Sequence, residues 1–392
     1  MREAVIIEAI RTPLGRRGGA LSSIHPVELG SQVLSALVER TGLDPATVDD
    51  VIWGCVTTIG EQSSNIGRWT TLAAGWPESV PGTTIDRACG SSQQALAFGA
   101  ASVIAGHYDL VVAGGVEAMS RVPMGATRKS GHGQARGPKV AERYPGAEFS
   151  QGHAAEMIAR KWGLSRGDVD AFSLESHARA AAARDAGRFD SQIVTVRTPD
   201  GEIVNRDEGI RERGSLESMA KLATVFDPDG VVTAGNASQI SDGASATIVT
   251  TPERAAELGL RPVARIVGST VVGVDPILML TGPIPATARI LDRTGLSLTE
   301  IGTFEVNEAF ASVALAWLAD TGTDPALVNP DGGAIALGHP LGCSGTRLTA
   351  TMLHRMRATG TRYGLQTICE AGGMANALVL ELIDRSWAEP SS

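Results

Sequence analysis

Short apolar runs alternate with longer stretches of helical spacing along the first third of the chain. Ala4–Ile7, Val51–Trp53 and Leu110–Ala113 are apolar at consecutive positions, as strands buried on both faces are. Val27–Arg40 and Ser91–Ile104 read as the helices between them. The alternation predicts βαβ units around a largely buried sheet.

An internal repeat organises the rest. Glu39-Arg40-Thr41-Gly42-Leu43, then four residues and Val48, returns as Asp292-Arg293-Thr294-Gly295-Leu296, then four residues and Ile301. Each copy reads as a helix stopped at Gly, then a strand at Val51–Trp53 or Phe304–Val306. At nearly the same offset, Cys89-Gly90-Ser91-Ser92 answers to Cys343-Ser344-Gly345-Thr346, each opening a small-residue helix. The two matches predict a duplicated α/β half. Between the copies, Met119–Ile240 is polar and rich in Gly and Arg around Arg121–Arg143. It holds two helical segments, Ala154–Trp162 and Val169–Ala186, the second preceded by Ser165 as N-cap with Asp168 three residues on. An insertion this long reads as a lid or binding surface.

Composition narrows the picture. The 46 glycines exceed the average usage of about 7%, and aromatics are only 4%. Tight turns and a core of small and branched aliphatic side chains are expected. The net charge of −9 argues against a nucleic-acid partner. No apolar run approaches a membrane span, the start reads as a strand rather than a leader, and Glu389-Pro390-Ser391-Ser392 is no peroxisomal ending. Four scattered cysteines suggest a reducing compartment, and a cytoplasmic enzyme is the expectation.

Familiar signatures are missing. Gly131-His132-Gly133 is followed by Gly137, one position late for a dinucleotide fingerprint, and no Walker loop, serine elbow or zinc motif occurs. No metal is expected. Thiol and imidazole chemistry in Gly-rich surroundings remains. Cys89 opens a helix, whose N-terminal field favours thiolate and whose free N–H groups can hold an oxyanion; a small buried thiol is the plainer alternative. His339 stands among five glycines, its backbone held extended by Pro340, and a core or turn histidine is the alternative. Spacing leaves a pairing of His339 with Cys343 open. Cys369 ends an apolar strand at a turn, and Asn307 stands where a strand gives way to a helix, as a site residue or an N-cap.

Together these segments resemble the thiolase family. Cys89-Gly90-Ser91, Asn307-Glu308-Ala309-Phe310, Gly332-Gly333 with Gly338-His339-Pro340, and Cys369 before Gly372-Gly373 fall in family order. Ala234-Gly235-Asn236-Ala237-Ser238 and Asp242-Gly243-Ala244 resemble the exit of the thiolase loop domain, and the resemblance runs from Arg11-Thr12-Pro13 to Leu380-Glu381. It implies two βαβαβαββ halves in a five-layered αβαβα core. The expected division is 1–118 completed by about 241–261, an inserted loop domain over coenzyme A at 119–240, and a second half at 262–392.

The resemblance also implies roles. Cys89 would be the nucleophile, His339 its base, Cys369 the acid/base at the α-carbon, and Asn307 the holder of a water for the enolate. The N–H groups of Cys89 and Ala371 would form a second oxyanion site, and Ser238, Ala234 and Lys221 would touch coenzyme A, a substrate and not a resident cofactor. The implied activity is acyl-CoA C-acyltransfer, with a homodimer or homotetramer as the assembly. Three departures stand out: Ala371 where the family usually has Gly, Ala223 after Lys221-Leu222 where a basic residue is common, and Ser150-Gln151-Gly152 where biosynthetic members resemble His-Met-Gly. The last points to a degradative 3-oxoacyl-CoA thiolase, with a branched or cyclic acyl chain included. Arg128, Lys129, Arg136, Lys139 and Arg143 gather positive charge in the insert, as a local field for a polyanion or as a solvated loop. Decarboxylating ketoacyl synthases share the fold but use His where this chain has Cys369; chalcone-synthase-like enzymes pair Cys with His and Asn. A biosynthetic acetoacetyl-CoA thiolase, or a non-catalytic acyl-CoA- or sterol-binding thiolase-like protein, is the further alternative.

Overall fold

The structure is a computed structural model, which describes residues 2–129, 131, 133 and 135–383. His132 and the terminal Glu389–Ser392 lie outside the described residues.

Nine strands make the main sheet path: β1 Val5–Arg11, β2 Asp50–Gly54, β3 Gly82–Ile85, β4 Leu110–Ala118, β5 Ser241–Thr250, β6 Ala264–Gly273, β7 Thr303–Val306, β8 Tyr363–Glu370 and β9 Met374–Leu382. The two-residue segment Gly15–Arg16 pairs with β5. In the first half the spatial order is β3-β2-β4-β5-β1, with β2 parallel to β3 and β4, and β5 antiparallel to β4 and β1. In the second it is β7-β8-β9-β6 with the same directions, and Val328 bridges Phe304 in parallel where the first half has β3. The duplication read from the repeat is therefore a duplication of topology. The halves meet where Val5 pairs with Arg265 and Ile6 with Ala264.

Strands β1, β2, β4 and β5 are buried on both faces, which explains the unbroken apolar runs at Ala4–Ile7, Val51–Trp53 and Leu110–Ala113. Val51 and Trp53 face outward onto α1 (Pro26–Thr41) and α2 (Ile66–Ala73), while Ile52 faces inward. The inner cluster joins Ile52, Val111 and Val249 of one half to Ile266, Leu378 and Leu380 of the other. Two helices fill the space between, α3 (Ser91–Ala105) through Ala95, Leu96, Ala100 and Val103, and α9 (Ser344–Thr359) through Ala350, Met352, Leu353 and Met356. On the far side α7 (Pro283–Thr294) and α8 (Ala311–Thr321) cover the second half with Ile290 and Trp317. These are the five layers. Fully burying each large side chain contributes about 1.5–3 kcal/mol, and the thin central layer demands small ones.

Local rules set the boundaries. Pro26 fits the first turn of α1, and Gly42 ends it in the left-handed region at φ 70°; Gly295, its partner in the repeat, ends α7 at the same φ. In the insert, helix α4 spans Gln151–Lys161, three residues earlier than the apolar spacing indicates, because the Ser150 side chain accepts from the His153 N–H. The Ser165–Asp168 capping box forms as expected and starts α5 at Arg166, running to Asp185. A short helix α6, Leu216–Ala220, follows. Among the described residues no helix is long and apolar enough to cross a membrane.

Candidate active site

The candidate residues stand where the two halves face each other at the carboxyl ends of β7 and β8 and the amino ends of α3 and α9. Cys89 lies in the turn between β3 and α3. Ala88 before it is held at φ 46°, costly for a residue with a Cβ. Asp86 Oδ1 accepts from the Ala88 N–H at 2.8 Å, and Ser91 Oγ accepts from the Arg87 N–H at 2.9 Å while donating to the Ala88 carbonyl at 2.6 Å. The turn is over-determined, and it fixes where the thiol sits.

His339 is placed by a glycine that nothing else replaces: Gly338 has φ 115° and ψ 166°. Its ring Nδ1 lies 2.6 Å from Ser344 Oγ, the first residue of α9. That hydroxyl donates its own proton to the Pro340 carbonyl at 2.7 Å, so toward the ring it accepts. Nδ1 therefore carries the proton and Nε2 the lone pair. The Asn307 amide nitrogen donates toward Nε2 at 3.4 Å.

Asn307 is no N-cap: α8 begins four residues later, after Phe310. Its neighbour Glu308 builds the opposite wall, accepting from Ser176 Oγ, Asn329 Nδ2 and the Ile335 N–H at 2.7, 2.9 and 3.1 Å. A Cβ on Gly333 would fall 2.2 Å from the Glu308 carboxyl carbon, which is why the loop before His339 needs glycine there. Glu117, at the end of β4, accepts from the N–H groups of Val56, Thr57 and Gly342 and from Gln62, tying the His339 loop to the first half.

Cys369 is the penultimate residue of β8, and the β8–β9 turn follows. The left-handed positions of that turn are Gly372 (φ 90°) and Gly373 (φ 79°). Ala371 is not among the positive-φ residues, so its backbone does not require glycine there. Its methyl group instead packs on the apolar cluster of Cys369, Met279, Leu280 and Phe310. Among the described residues the Ala371 N–H has no acceptor, and the Cys89 N–H meets only its own sulfur.

Electrostatics correct one expectation. The start of α3 does not make Cys89 a resting thiolate. Burial, reinforced by Cys369 and Glu370 nearby, pushes its thiol well above the usual range. Burial also raises Cys369 to about 12, and it lowers His339 to about 3, helped by the Arg347 charge. The resting site is two neutral thiols and a neutral imidazole. Cys343 is a different case: fully buried and pushed to about 12 by burial, it packs toward Gly243. The His339 Nδ1 that spacing offered to Cys343 is taken by Ser344.

Of the coenzyme A candidates, Ser238 is nearest the centre: its N–H donates to the Ala309 carbonyl at 3.0 Å, and Ala237 bridges Phe310. Ala234 is exposed on a turn whose Gly235 packs against Leu222 and Met219. Lys221 is an exposed residue just past α6 and pairs with Glu217 at 2.8 Å. Ala223 beside it is exposed and offers no charge. In the basic stretch, Arg136 stacks over the Phe149 ring at 4.5 Å and Arg143 over Tyr144 at 5.4 Å. Three positioning residues went unread in the sequence: Ser344, Glu308 and Glu117. Only Ser344 had a local signal, as the first helical residue after a histidine loop.

Comparison with known proteins agrees over nearly all of the chain. Residues 4–253 match the thiolase N-terminal domain and residues 260–382 the thiolase C-terminal domain. The chain is 51% identical to the steroid 3-ketoacyl-CoA thiolase FadA6 of Mycobacterium tuberculosis, across 97% of this chain and 94% of that one. It is 42% identical to a 3-ketoacyl-CoA thiolase of Bacillus subtilis, across 97% and 100%. The crystal structure of the Bacillus anthracis acetyl-CoA acetyltransferase superimposes with a TM-score of 0.89 at 38% identity, covering 98% of this chain and 99% of that one. With both domain signatures in order on a twice-built α/β core, the chain belongs to the thiolase family.

Proposed function

We propose that this thiolase cleaves 3-oxoacyl-CoA with coenzyme A through an acyl group carried on Cys89. The observation that carries this reading is the His339 tautomer: a bare Nε2 beside the Asn307 amide, in a site that also holds two buried thiols.

His339 Nε2 takes the Cys89 proton as the sulfur attacks the 3-keto carbon. The high thiol and low imidazole pKa require transfer and attack to proceed together. The N–H groups of Cys89 and Ala371 hold the tetrahedral oxyanion. Collapse breaks the C2–C3 bond. The enolate oxygen of acetyl-CoA meets His339 Nε2–H and a water on Asn307, and the Cys369 thiol protonates C2. Acetyl-CoA leaves and coenzyme A enters. The Cys369 thiolate takes the coenzyme A proton, the new thiolate attacks acyl-Cys89, and His339 returns its proton to the departing Cys89. Protons balance over the cycle, and the reverse sequence is a Claisen condensation.

Ser238, Ala234 and Lys221 are proposed coenzyme A contacts, with Ser238 nearest the reacting carbon. The division into 1–118 with 241–261, 119–240 and 262–392 is supported by β5, which leaves the insert to pair with β1 and β4. Four free, buried cysteines fit a reducing cytoplasm, and a homodimer or homotetramer is the proposed assembly, to be read by light scattering. The likeness to a steroid thiolase favours the degradative direction and makes steroid-derived 3-oxoacyl-CoAs the first substrates to set against short and long linear ones.

The test is acetyl-CoA labelling with peptide mass mapping. One acetyl group on Cys89 is expected; a label on Cys343 overturns the reading. Cys369→Ala is expected to keep acetylation within about tenfold while C–C cleavage falls by about 10²–10⁴-fold. Loss of both together removes Cys369 from the acid/base role.

A further inference from the structure

Glu370 follows Cys369 on β8, and its side chain takes the opposite face of the strand. It is completely buried, and neither carboxyl oxygen has a hydrogen-bond partner. The carboxyl rests on Gly90, the N-cap of α3 and the residue after Cys89: a Cβ on Gly90 would fall 1.9 Å from Glu370 Oε1. From the Cys89 turn it faces Asp86, Arg87 and Cys89 itself, from its own strand Cys369, and from β9 its cross-strand partner Met374. Arg87 does not neutralise it by contact. That guanidinium donates from Nη1 to Met374 Sδ at 3.8 Å, and its buried Nε has no partner. Besides the Arg87 charge, the positive feature next to the carboxyl is the N-terminus of α3, a 15-residue helix whose N-cap Gly90 has no side-chain cap.

We propose that Glu370 is a positioning residue for the thiol chemistry, competing with Cys89 for the α3 N-terminus, so that the site reacts with Glu370 protonated and is held back when Glu370 ionises. The helix end supplies roughly half a unit charge, enough to favour one anion beside it and too little for two. A carboxylate on Gly90 repels both the Cys89 thiolate and the oxyanion formed on the Cys89 N–H. The direction of the electrostatics agrees: burial lifts the Glu370 carboxyl to about 8, and its charge is among those that raise both thiols. Glu117 also raises Cys89, but it is bound by four donors and common to every state compared.

The proposal rests on Cys89 as the reacting thiol, and alkylation of Cys89 by iodoacetamide followed by mass mapping reads it without any thiolase turnover. In the wild type, the log rate at Cys89 is expected to rise with pH up to about 8 and then flatten. In Glu370→Gln it keeps rising, so the variant-to-wild-type ratio climbs from about 1 at pH 7 to about 10 at pH 9, and Glu370→Asp restores the bend. A ratio that stays within about twofold across that range overturns the proposal, whatever acetyl-CoA labels. If Glu370→Gln does not fold, the wild-type profile decides alone: a straight rise through pH 9 overturns it. In thiolysis the same ratio is expected in kcat at saturating substrate, with KM unchanged.

Discussion

Cys89 and Cys343 hold equivalent places in the two halves of this molecule, each at the start of the small-residue helix that its half sends into the central layer. The helices touch at those starts, where the Thr346 N–H donates to Ser92 Oγ at 3.0 Å. Both thiols are raised by burial, and both stand at a helix N-terminus. Yet Cys89 has Cys369 and Glu370 among its neighbours, whereas Cys343 packs toward Gly243. The comparison teaches that a helix N-terminus alone does not make a nucleophile. In a buried site desolvation outweighs the helix field, and reactivity comes from what the rest of the fold brings to the sulfur.

The largest test of this difference is a paired substitution. Cys89→Ala is expected to lower thiolytic kcat by about 10⁴-fold or more, while Cys343→Ala changes it by less than about threefold. Equal losses would erase the distinction between the halves. Next comes the imidazole. Ser344→Ala removes the acceptor that fixes the His339 tautomer, with an expected loss of about tenfold in kcat, roughly 1.4 kcal/mol, at unchanged KM and with recovery in Ser344→Thr. A loss confined to KM would move Ser344 out of the positioning role.

The helix starts themselves give a smaller, structural contrast. A Cβ on Gly345 would lie 2.1 Å from the backbone nitrogen of Gln93, whereas on Gly90 it meets only the end of the Glu370 side chain. Gly345→Ala is expected to cost about 1–3 kcal/mol in urea unfolding, and Gly90→Ala less, because a side chain can move where a backbone cannot. A last contrast concerns acid. His177, inside the insert, is lowered to about 4 by burial and the Arg211 charge, and its Nδ1 accepts from the Arg211 N–H at 3.0 Å. Below pH 6.5 the unfolded chain takes a proton that the folded one refuses, so stability falls between pH 6.5 and 4 by up to about 1.4 kcal/mol per pH unit. His177→Asn is expected to flatten that slope. An unchanged difference between pH 7 and pH 5 would place the acid sensitivity elsewhere, His339 being the other depressed histidine.

The duplication was legible because it is written in local chemistry. A glycine that ends a helix in the left-handed region, and a strand apolar on every residue, leave the same marks wherever they occur, and they occurred twice. The caps at Ser165 and Gly42 were readable for the same reason. The positions of Cys89, Asn307, His339 and Cys369 were visible as residues in unusual surroundings, and the family likeness ordered them. The insert was readable as polar and helical, but not as the loop whose Ser176 braces Glu308 across more than a hundred residues.

The excess of glycine and the scarcity of aromatics, the strands, the helix boundaries and the repeat were determined by the sequence itself, since each depends on neighbours within a few residues. The tertiary structure alone decided the rest. It gave the His339 proton to Nδ1, left the left-handed positions of the β8–β9 turn to Gly372 and Gly373 rather than Ala371, sealed Cys343 and buried Glu370 against Gly90. Those outcomes depend on which groups from distant segments share one desolvated space. Charge, tautomer and reactivity are properties of that space rather than of the chain.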